Sequence, residues 1–239
     1  MSMKVLQDKS QISKARKELD RKGASHVDAP DSRLKSIMRK LGLVRGLTMG
    51  DILKSWDVHA TLNFIEKHAE KSEPILDIGC YCSEIIASLH KVGYSNLTGA
   101  DLNPNLKQMP YQGFIKYEVT NFLHTKFKNA SFKVITAISV IEHDFNAKAL
   151  LYETSRLLLP GGYFIASFDY WPEKIDTTGT RFFGMDWKIF SKKDVEEFVS
   201  LAVTYNLFPV GELNYTSKAA PIHCASKKYT FGWLVLEKK

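Results

Sequence analysis

From residue 75 to residue 205, short apolar runs alternate with helix-like stretches, and this alternation constrains the fold more than any other feature of the chain. The apolar runs occupy 75–78, 96–100, 114–118, 133–139 and 162–168. Short runs of this kind read as strands. Stretches 83–91, 147–158 and 192–205 instead space their apolar residues as helices do. That order calls for a mostly parallel sheet covered by helices on both faces, because parallel neighbours need crossover connections that pack back on the sheet. The last stretch departs from it: 209–215 and 229–236 are strand-like, with Pro221 between them and no helix, which predicts an antiparallel hairpin at the sheet edge.

Composition matters chiefly for what precedes this region. With 239 residues and 44% hydrophobic content, the chain has material for one full core and a small appendage. Residues 1–50 hold 12 of the 33 Lys/Arg and 5 of the 26 Asp/Glu, so the net charge of +7 belongs to the N-terminal arm and the remainder is balanced. The arm reads as helices. A polar one spans about Gln11–Lys22 and is stopped by Gly23; a second, near Ser32–Leu41, sets Leu34, Ile37, Met38 and Leu41 on one face with basic residues mostly opposite. Such an arm suits a lid over its own domain, a peripheral membrane contact or an anionic partner. A third helix over about 51–67 carries Ile52, Leu53, Trp56, Ala60, Phe64 and Ile65 at helical spacing.

The division expected is therefore a basic helical arm or lid over 1–50 and one α/β domain over 51–239. No apolar run reaches the roughly 18 residues of a membrane span, and the first residues do not read as a secretory signal, so a cytoplasmic location is expected. Three cysteines make no disulfide framework. Cys80 and Cys82 lack the spacing and the second ligand pair of a zinc site, so no metal is expected.

The chemistry is concentrated at strand ends. Asp77-x-Gly79 closes the first apolar run, where open α/β sheets bind nucleotides beyond the carboxyl ends of their strands, and a helix expected to be capped by Ser83 follows. Asp101 ends the next strand 22 residues after Gly79, close to the spacing at which a carboxylate meets ribose hydroxyls. The GxGxxG run that a dinucleotide's pyrophosphate requires is missing, which argues against a nicotinamide oxidoreductase.

Four ordered segments carry a family resemblance: Ile75-Leu-Asp-Ile-Gly-Cys80, Gly99-Ala-Asp-Leu-Asn103, Ser131-Phe-Lys-Val-Ile-Thr-Ala-Ile-Ser-Val-Ile-Glu-His143 and Arg156-Leu-Leu-Leu-Pro-Gly-Gly-Tyr-Phe164. In order and spacing, over about residues 73–170, they resemble the class I S-adenosylmethionine (SAM) dependent methyltransferases. The resemblance implies a Rossmann-like, seven-stranded, mostly parallel sheet with a C-terminal antiparallel hairpin, and SAM as cofactor. It also implies Asp77, Gly79 and the Cys80-Tyr81-Cys82 backbone around the methionine part, Asp101 on the ribose, Leu102 against adenine, Asn121 and Phe122 flanking the adenine ring, and backbone near Ser139 facing the methyl group. The loop Gly79-Cys80-Tyr81-Cys82-Ser83 departs from the family, which usually has two further glycines there, and Tyr81 is expected to cover the cofactor or close the acceptor pocket.

Transfer of a methyl group from a sulfonium is an in-line displacement, so much of the catalysis is alignment. A hydroxyl acceptor also needs its proton removed. Candidates beside the expected methyl position are Glu142 and His143 after the fourth strand and Asp169 after the fifth; His143 is the first choice and Asp169 the second. Residues 169–190 form an aromatic-rich insertion over the acceptor site, followed by a helix capped by Ser191 with Asp194 three residues on. Together these point to methylation of a hydroxyl or amine on a small or medium-sized acceptor, such as a sugar of a surface polysaccharide or a glycosylated metabolite, the glycan part resting on similarity to methyltransferases of bacterial surface-glycan gene clusters. An RNA methyltransferase using the basic arm is the second enzyme reading, weakened by the balanced charge of the main domain; a SAM-binding scaffold without turnover is the third.

Overall fold

The computed structural model describes residues 2–25, 47, 49–143 and 146–239. The amphipathic run 34–41, and with it the lid and membrane roles expected of it, lies outside the described residues. Strand β1 (Met3–Val5) and helix α1 (Lys9–Arg21) come first. A short 3-10 turn (Ile52–Lys54) leads into α2 (Ser55–His68). Then follow β2 (Ile75–Ile78), α3 (Ile85–Lys91), β3 (Leu97–Asp101), β4 (Ile115–Val119), β5 (Phe132–Ile138), α4 (Ala147–Leu157) and β6 (Leu158–Tyr170). A two-residue hairpin, β7 (Arg181–Phe182) and β8 (Met185–Asp186), precedes α5 (Lys192–Val203), β9 (Leu207–Pro209), β10 (Ile222–Cys224) and β11 (Lys227–Lys238).

The central strands run β6-β5-β2-β3-β4, all parallel, and β11 adds antiparallel to β6. This is the Rossmann-like arrangement that the strand and helix order requires. Strands β2 and β5 project apolar side chains to both faces. Leu76, Ile78, Ile135 and Ala137 join the core under α4 and α5, while Ile75, Val134 and Ile138 join the core under α1, α2 and α3. Burial on both sides is why apolar residues follow one another in these segments instead of alternating with polar ones.

The edge beyond β11 differs from the expected hairpin. Residues 210–215 form no strand; β9 pairs with Leu236–Lys238, and β1, a strand absent from the sequence reading, takes Gly232–Leu234. Two short segments from opposite ends of the chain thus share one edge of β11. Their junction is tied by Ser2, whose hydroxyl donates to the Val235 carbonyl at 2.5 Å and accepts from Val210 N–H at 3.0 Å. At the other end of β11, β10 forms a true hairpin, Ile222 opposite Tyr229.

Helix α1 lies near its expected place. Asp8 and Gln11 form a reciprocal capping box at its start, and Gly23 at φ +66° ends it. In α2 the buried face is rotated from the expected stripe: Ser55, Asp57, Val58, Thr61, Leu62 and Ile65 face inward, whereas Ile52 and Leu53 in the preceding turn are each 44% exposed. The polar members of that face are tolerated because the sheet offers them partners. Thr61 Oγ1 accepts from the indole N–H of the buried Trp233 at 2.9 Å. Helix α3 begins at Ile85, with Glu84 and not Ser83 at its N-cap position and no side-chain cap.

Candidate functional site

All five parallel strands end on one edge, and the residues singled out from the sequence lie along it. Asp77 sits at the register Gly99–Asp77–Thr136, inside the sheet. Its Oδ1 accepts from the Thr136 hydroxyl at 2.7 Å, while Oδ2 is sealed from solvent without a hydrogen bond. Burial is the main cause that lifts its pKa to about 7, against the Thr136 bond and the nearby Ser83 hydroxyl. The chain then turns at Gly79, φ +69°, where an added Cβ would stand 2.4 Å from Val140 Cγ2, so that only glycine lets the loop lie this close to the end of β5.

The loop is pinned from the β3 side. Gly79 N–H donates to the Ala100 carbonyl at 2.9 Å, and Tyr81 N–H donates to Asp101 Oδ2 at 2.9 Å. Asp101 Oδ1 accepts from Asn103 N–H at 2.9 Å. Each carboxylate oxygen has one further acceptor position, so both remain able to receive another donor. Leu102, next in sequence, is 58% exposed beside it. Asn121 and Phe122 follow β4; the Asn121 side-chain carbonyl accepts from Leu123 N–H at 2.9 Å in a local turn, and Phe122 packs against the α4/α5 core. Cys80 is fully buried, which pushes its thiol pKa well up and makes it a packing residue. Ser139, at φ +56° just after β5, donates its N–H to Ser167 at the carbonyl (3.0 Å) and the hydroxyl (3.2 Å).

A second grouping lies at the ends of β5 and β6, where His143 and Asp169 are brought together through Trp187. His143 makes a backbone bridge with Trp187, whose indole N–H donates to Asp169 Oδ2 at 2.8 Å. Lys54 Nζ stands 3.6 Å from Asp169 Oδ1 and 3.6 Å above the Phe231 ring. Burial works against the charge of Lys54, but Asp169, then Asp57, Glu142 and Asp51, together hold its pKa above the usual lysine value. Asp57 reaches in from α2 and accepts from the Ser167 hydroxyl at 2.7 Å; burial raises it to about 6. Glu142 is pushed up by burial and by the charge of Asp169, against the opposing pull of Lys54 and the Ser139 hydroxyl. His143 is shifted the other way: burial favours its neutral ring, and Nδ1 is buried without a hydrogen-bond partner among the described residues.

Lys54 and Asp57 were not among the residues expected from sequence. A lysine after Ile52-Leu53 reads as a solvated end of a stripe; the available signal was Asp57, aligned with Thr61 and Ile65 on a helix face that otherwise carries apolar residues. The insertion 169–190 forms a small core of its own, with Trp187 and Ile189 buried against Leu6, Ile12, Tyr229 and Phe231. Phe183 is left 87% exposed, its ring centroid 5.7 Å from that of His143. Ser191 and Asp194 form the capping box expected of α5. The basic arm is also turned inward at one point: Arg16 makes a two-pronged pair with Glu84 at 2.6 and 2.8 Å and donates to Ser25 and Ser55.

Comparison with known proteins bears on the fold. Residues 76–166 match the family model described as a methyltransferase domain. The fold is similar to that of a SAM-dependent methyltransferase of Methanosarcina mazei at 17% identity, covering 73% of this chain and 96% of that one, with a TM-score of 0.55. It is also similar to a geranyl diphosphate C-methyltransferase of Streptomyces coelicolor, solved with Mg2+, geranyl diphosphate and S-adenosylhomocysteine; identity is 14%, coverage 92% and 88%, and TM-score 0.59. A third similar structure is an S-adenosylmethionine dependent methyltransferase of Mesorhizobium loti, at 14% identity, 77% and 98% coverage and a TM-score of 0.52. No curated protein sequence matches the chain.

Proposed function

We propose that this chain, a SAM-dependent methyltransferase by its domain and fold, methylates a hydroxyl of a small or medium-sized acceptor, with a sugar of a surface polysaccharide or a glycosylated metabolite as the class to test first. The residues along the strand ends fit the cofactor. Asp77 presents a buried oxygen with no bond of its own, Gly79 leaves a cradle that a Cβ would fill, Asp101 keeps an acceptor position on each oxygen for ribose hydroxyls, and Leu102 offers exposed apolar surface for adenine. Cys80 and Tyr81 supply loop backbone, Asn121 and Phe122 lie on the adenine side, and Ser139 lies on the methyl side. When bound, SAM supplies a methyl group on a positively charged sulfur.

The chain's own contribution is to align the acceptor and take up its proton. The observation that carries this reading is His143: its Nδ1 is buried, without a hydrogen-bond partner among the described residues, and on a ring whose burial favours the neutral form, the state a general base needs at neutral pH. Asp169 lies close enough to favour the imidazolium that forms, and it is itself fixed by Trp187 and Lys54. Exposed Phe183 beside His143 provides an aromatic face of the kind on which sugar rings stack.

The test is methyl transfer from labelled SAM to a panel of mono- and disaccharides, matched amino sugars and geranyl diphosphate, run with the wild type and with His143→Ala. A hydroxyl acceptor should be methylated, and His143→Ala should lower kcat by about 10²–10⁴-fold with the calorimetric Kd for SAM within twofold. Full turnover in His143→Ala would remove the base assignment; transfer confined to geranyl diphosphate would replace the hydroxyl class.

A further inference from the structure

The turn before α2 brings a lysine into the His143 grouping from outside the matched methyltransferase segment, residues 76–166. The turn is tied at both ends. Gly50, at φ +69°, donates its N–H to the Cys82 carbonyl of the loop after β2 at 2.9 Å, and Lys54 N–H donates to the Asp51 carbonyl at 2.9 Å. The Lys54 side chain, 20% exposed, then runs inward to place Nζ 3.6 Å above the Phe231 ring and 3.6 Å from Asp169 Oδ1. Lysine usually keeps its ammonium in water, and a buried ion pair contributes little stability that apolar side chains of the same volume would not. The pair is better accounted for by what it does to Asp169. That carboxylate accepts from the Trp187 indole at Oδ2, while Oδ1 has no hydrogen bond among the described residues. The other titratable groups around the pair supply no second cation: Asp51 in the turn, Asp57 on α2, Glu142 and the half-buried His143 after β5, and Tyr229 on β11.

We propose that Lys54 is a positioning residue for methyl transfer: its ammonium holds the Asp169 carboxylate in place, with Oδ2 on the Trp187 indole, where its charge favours the imidazolium that forms on His143. This rests on the reading of His143 as the base. Lys54 acts through Asp169, and its charge, not its bulk, is the operative property. Without the cation, Asp169 is left among buried acidic groups and has reason to take up a proton or turn away, and either loosens its bond to the indole. Arginine keeps the charge; methionine keeps most of the length without it.

The Trp187 indole N–H is the reporter, because its hydrogen bond reads the place and charge of Asp169; its 1H–15N resonance is assigned by its loss in Trp187→Phe. On the full chain without acceptor, Lys54→Met should move the indole proton upfield at least half as far as Asp169→Asn does, and Lys54→Arg should leave it near the wild-type position. In transfer to whichever member of the acceptor panel the wild type methylates, Lys54→Met should lower kcat at least tenfold, with KM for that acceptor and Kd for SAM within twofold. Lys54→Arg should regain at least a third of the wild-type kcat. Circular dichroism checks folding, and Lys54→Gln, which keeps a donor without the charge, carries the same expectations where Lys54→Met is too unstable. An unmoved indole in the uncharged variants, a kcat within twofold of wild type, or equal losses in Lys54→Arg and Lys54→Met would overturn the proposal. Full turnover in His143→Ala is the failure of the base reading; unchanged kcat in Lys54→Met with His143→Ala inactive is the failure of this one.

Discussion

The two carboxylate groupings on the carboxyl edge of the sheet are built on opposite plans. At the ends of β2 and β3, Asp101 is held by backbone N–H groups from Tyr81 and Asn103, and Asp77 by one threonine hydroxyl a strand away. Every contact is local in sequence or follows from strand register. At the ends of β5 and β6, Asp57, Glu142 and Asp169 share one lysine, and the groups that steady them come from the turn before α2, α2 itself, β6 and the insertion. The first grouping is fixed by the fold and left with spare acceptor positions; the second is fixed by mutual charge and burial, so that removing one member disturbs the rest. Paired buried charges of this kind are a weak source of stability but are costly to break.

Breaking the second plan should have the largest effect. Lys54→Met leaves Asp169 without its cation and should cost about 3 kcal/mol of stability in urea unfolding, with part regained in Lys54→Met/Asp169→Asn. A loss below about 0.5 kcal/mol would mean that the pair behaves like an exposed one and that the contrast drawn here is wrong. Asp101→Ala probes the first plan: the Kd for SAM should rise more than tenfold by calorimetry, since hydrogen bonds to a charged group contribute about 1.5–3 kcal/mol. Unchanged affinity would sink the ribose assignment.

A subtler contrast is in pH. Asp77 has a folded pKa of about 7, above the value of 3.8 expected when it is unfolded. The folded state therefore binds the extra proton, and the contribution of Asp77 to stability is complete below about pH 4 and lost as pH rises through about 7. Asp77→Asn should flatten the fall in Tm over that window; an unchanged slope would show that Asp77 is ionised throughout. The smallest effect belongs to a purely local device. Ser191→Ala removes the α5 cap and should cost about 1 kcal/mol in the same urea assay, without altering SAM affinity.

This difference also explains what could be read from the sequence. The strand-end positions of Asp77, Gly79 and Asp101 are legible because such positions recur at known spacing in open α/β sheets, although Asp77 and Gly79 also lean on Thr136 and Val140 of the neighbouring β5 end. The cap at Ser191 is equally local. Lys54 and Asp57 are not, since their partners lie more than a hundred residues away, and hydropathy alone turns Ile52 and Leu53 inward where the structure leaves them half exposed. The three-residue strands β1 and β9 carry too little pattern to distinguish them from loop; what makes them strands is the open edge of β11, a property of the assembled sheet. Likewise, Ser83 has the composition of a helix cap, but the helix starts two residues later.

The shared edge of β11 has a consequence for the order in which the molecule forms. Met3 pairs with Leu234, and Ser2 is bonded to Val235, across 233 positions of chain. Closing so long a loop adds only slowly to the entropic cost, about 0.6 kcal/mol per doubling of length, but contacts between distant residues slow the search for the native state. As the polypeptide leaves the ribosome, β1 is made before the strands of the parallel sheet and has no partner until β11 has followed them. Until then Met3 and Leu6, fully buried in the finished fold, and the flank of β6 that β11 will cover stay open to other chains. The stage most exposed to mispairing is therefore the interval between the making of β6 and of β11, when a nearly complete sheet still lacks its closing strand.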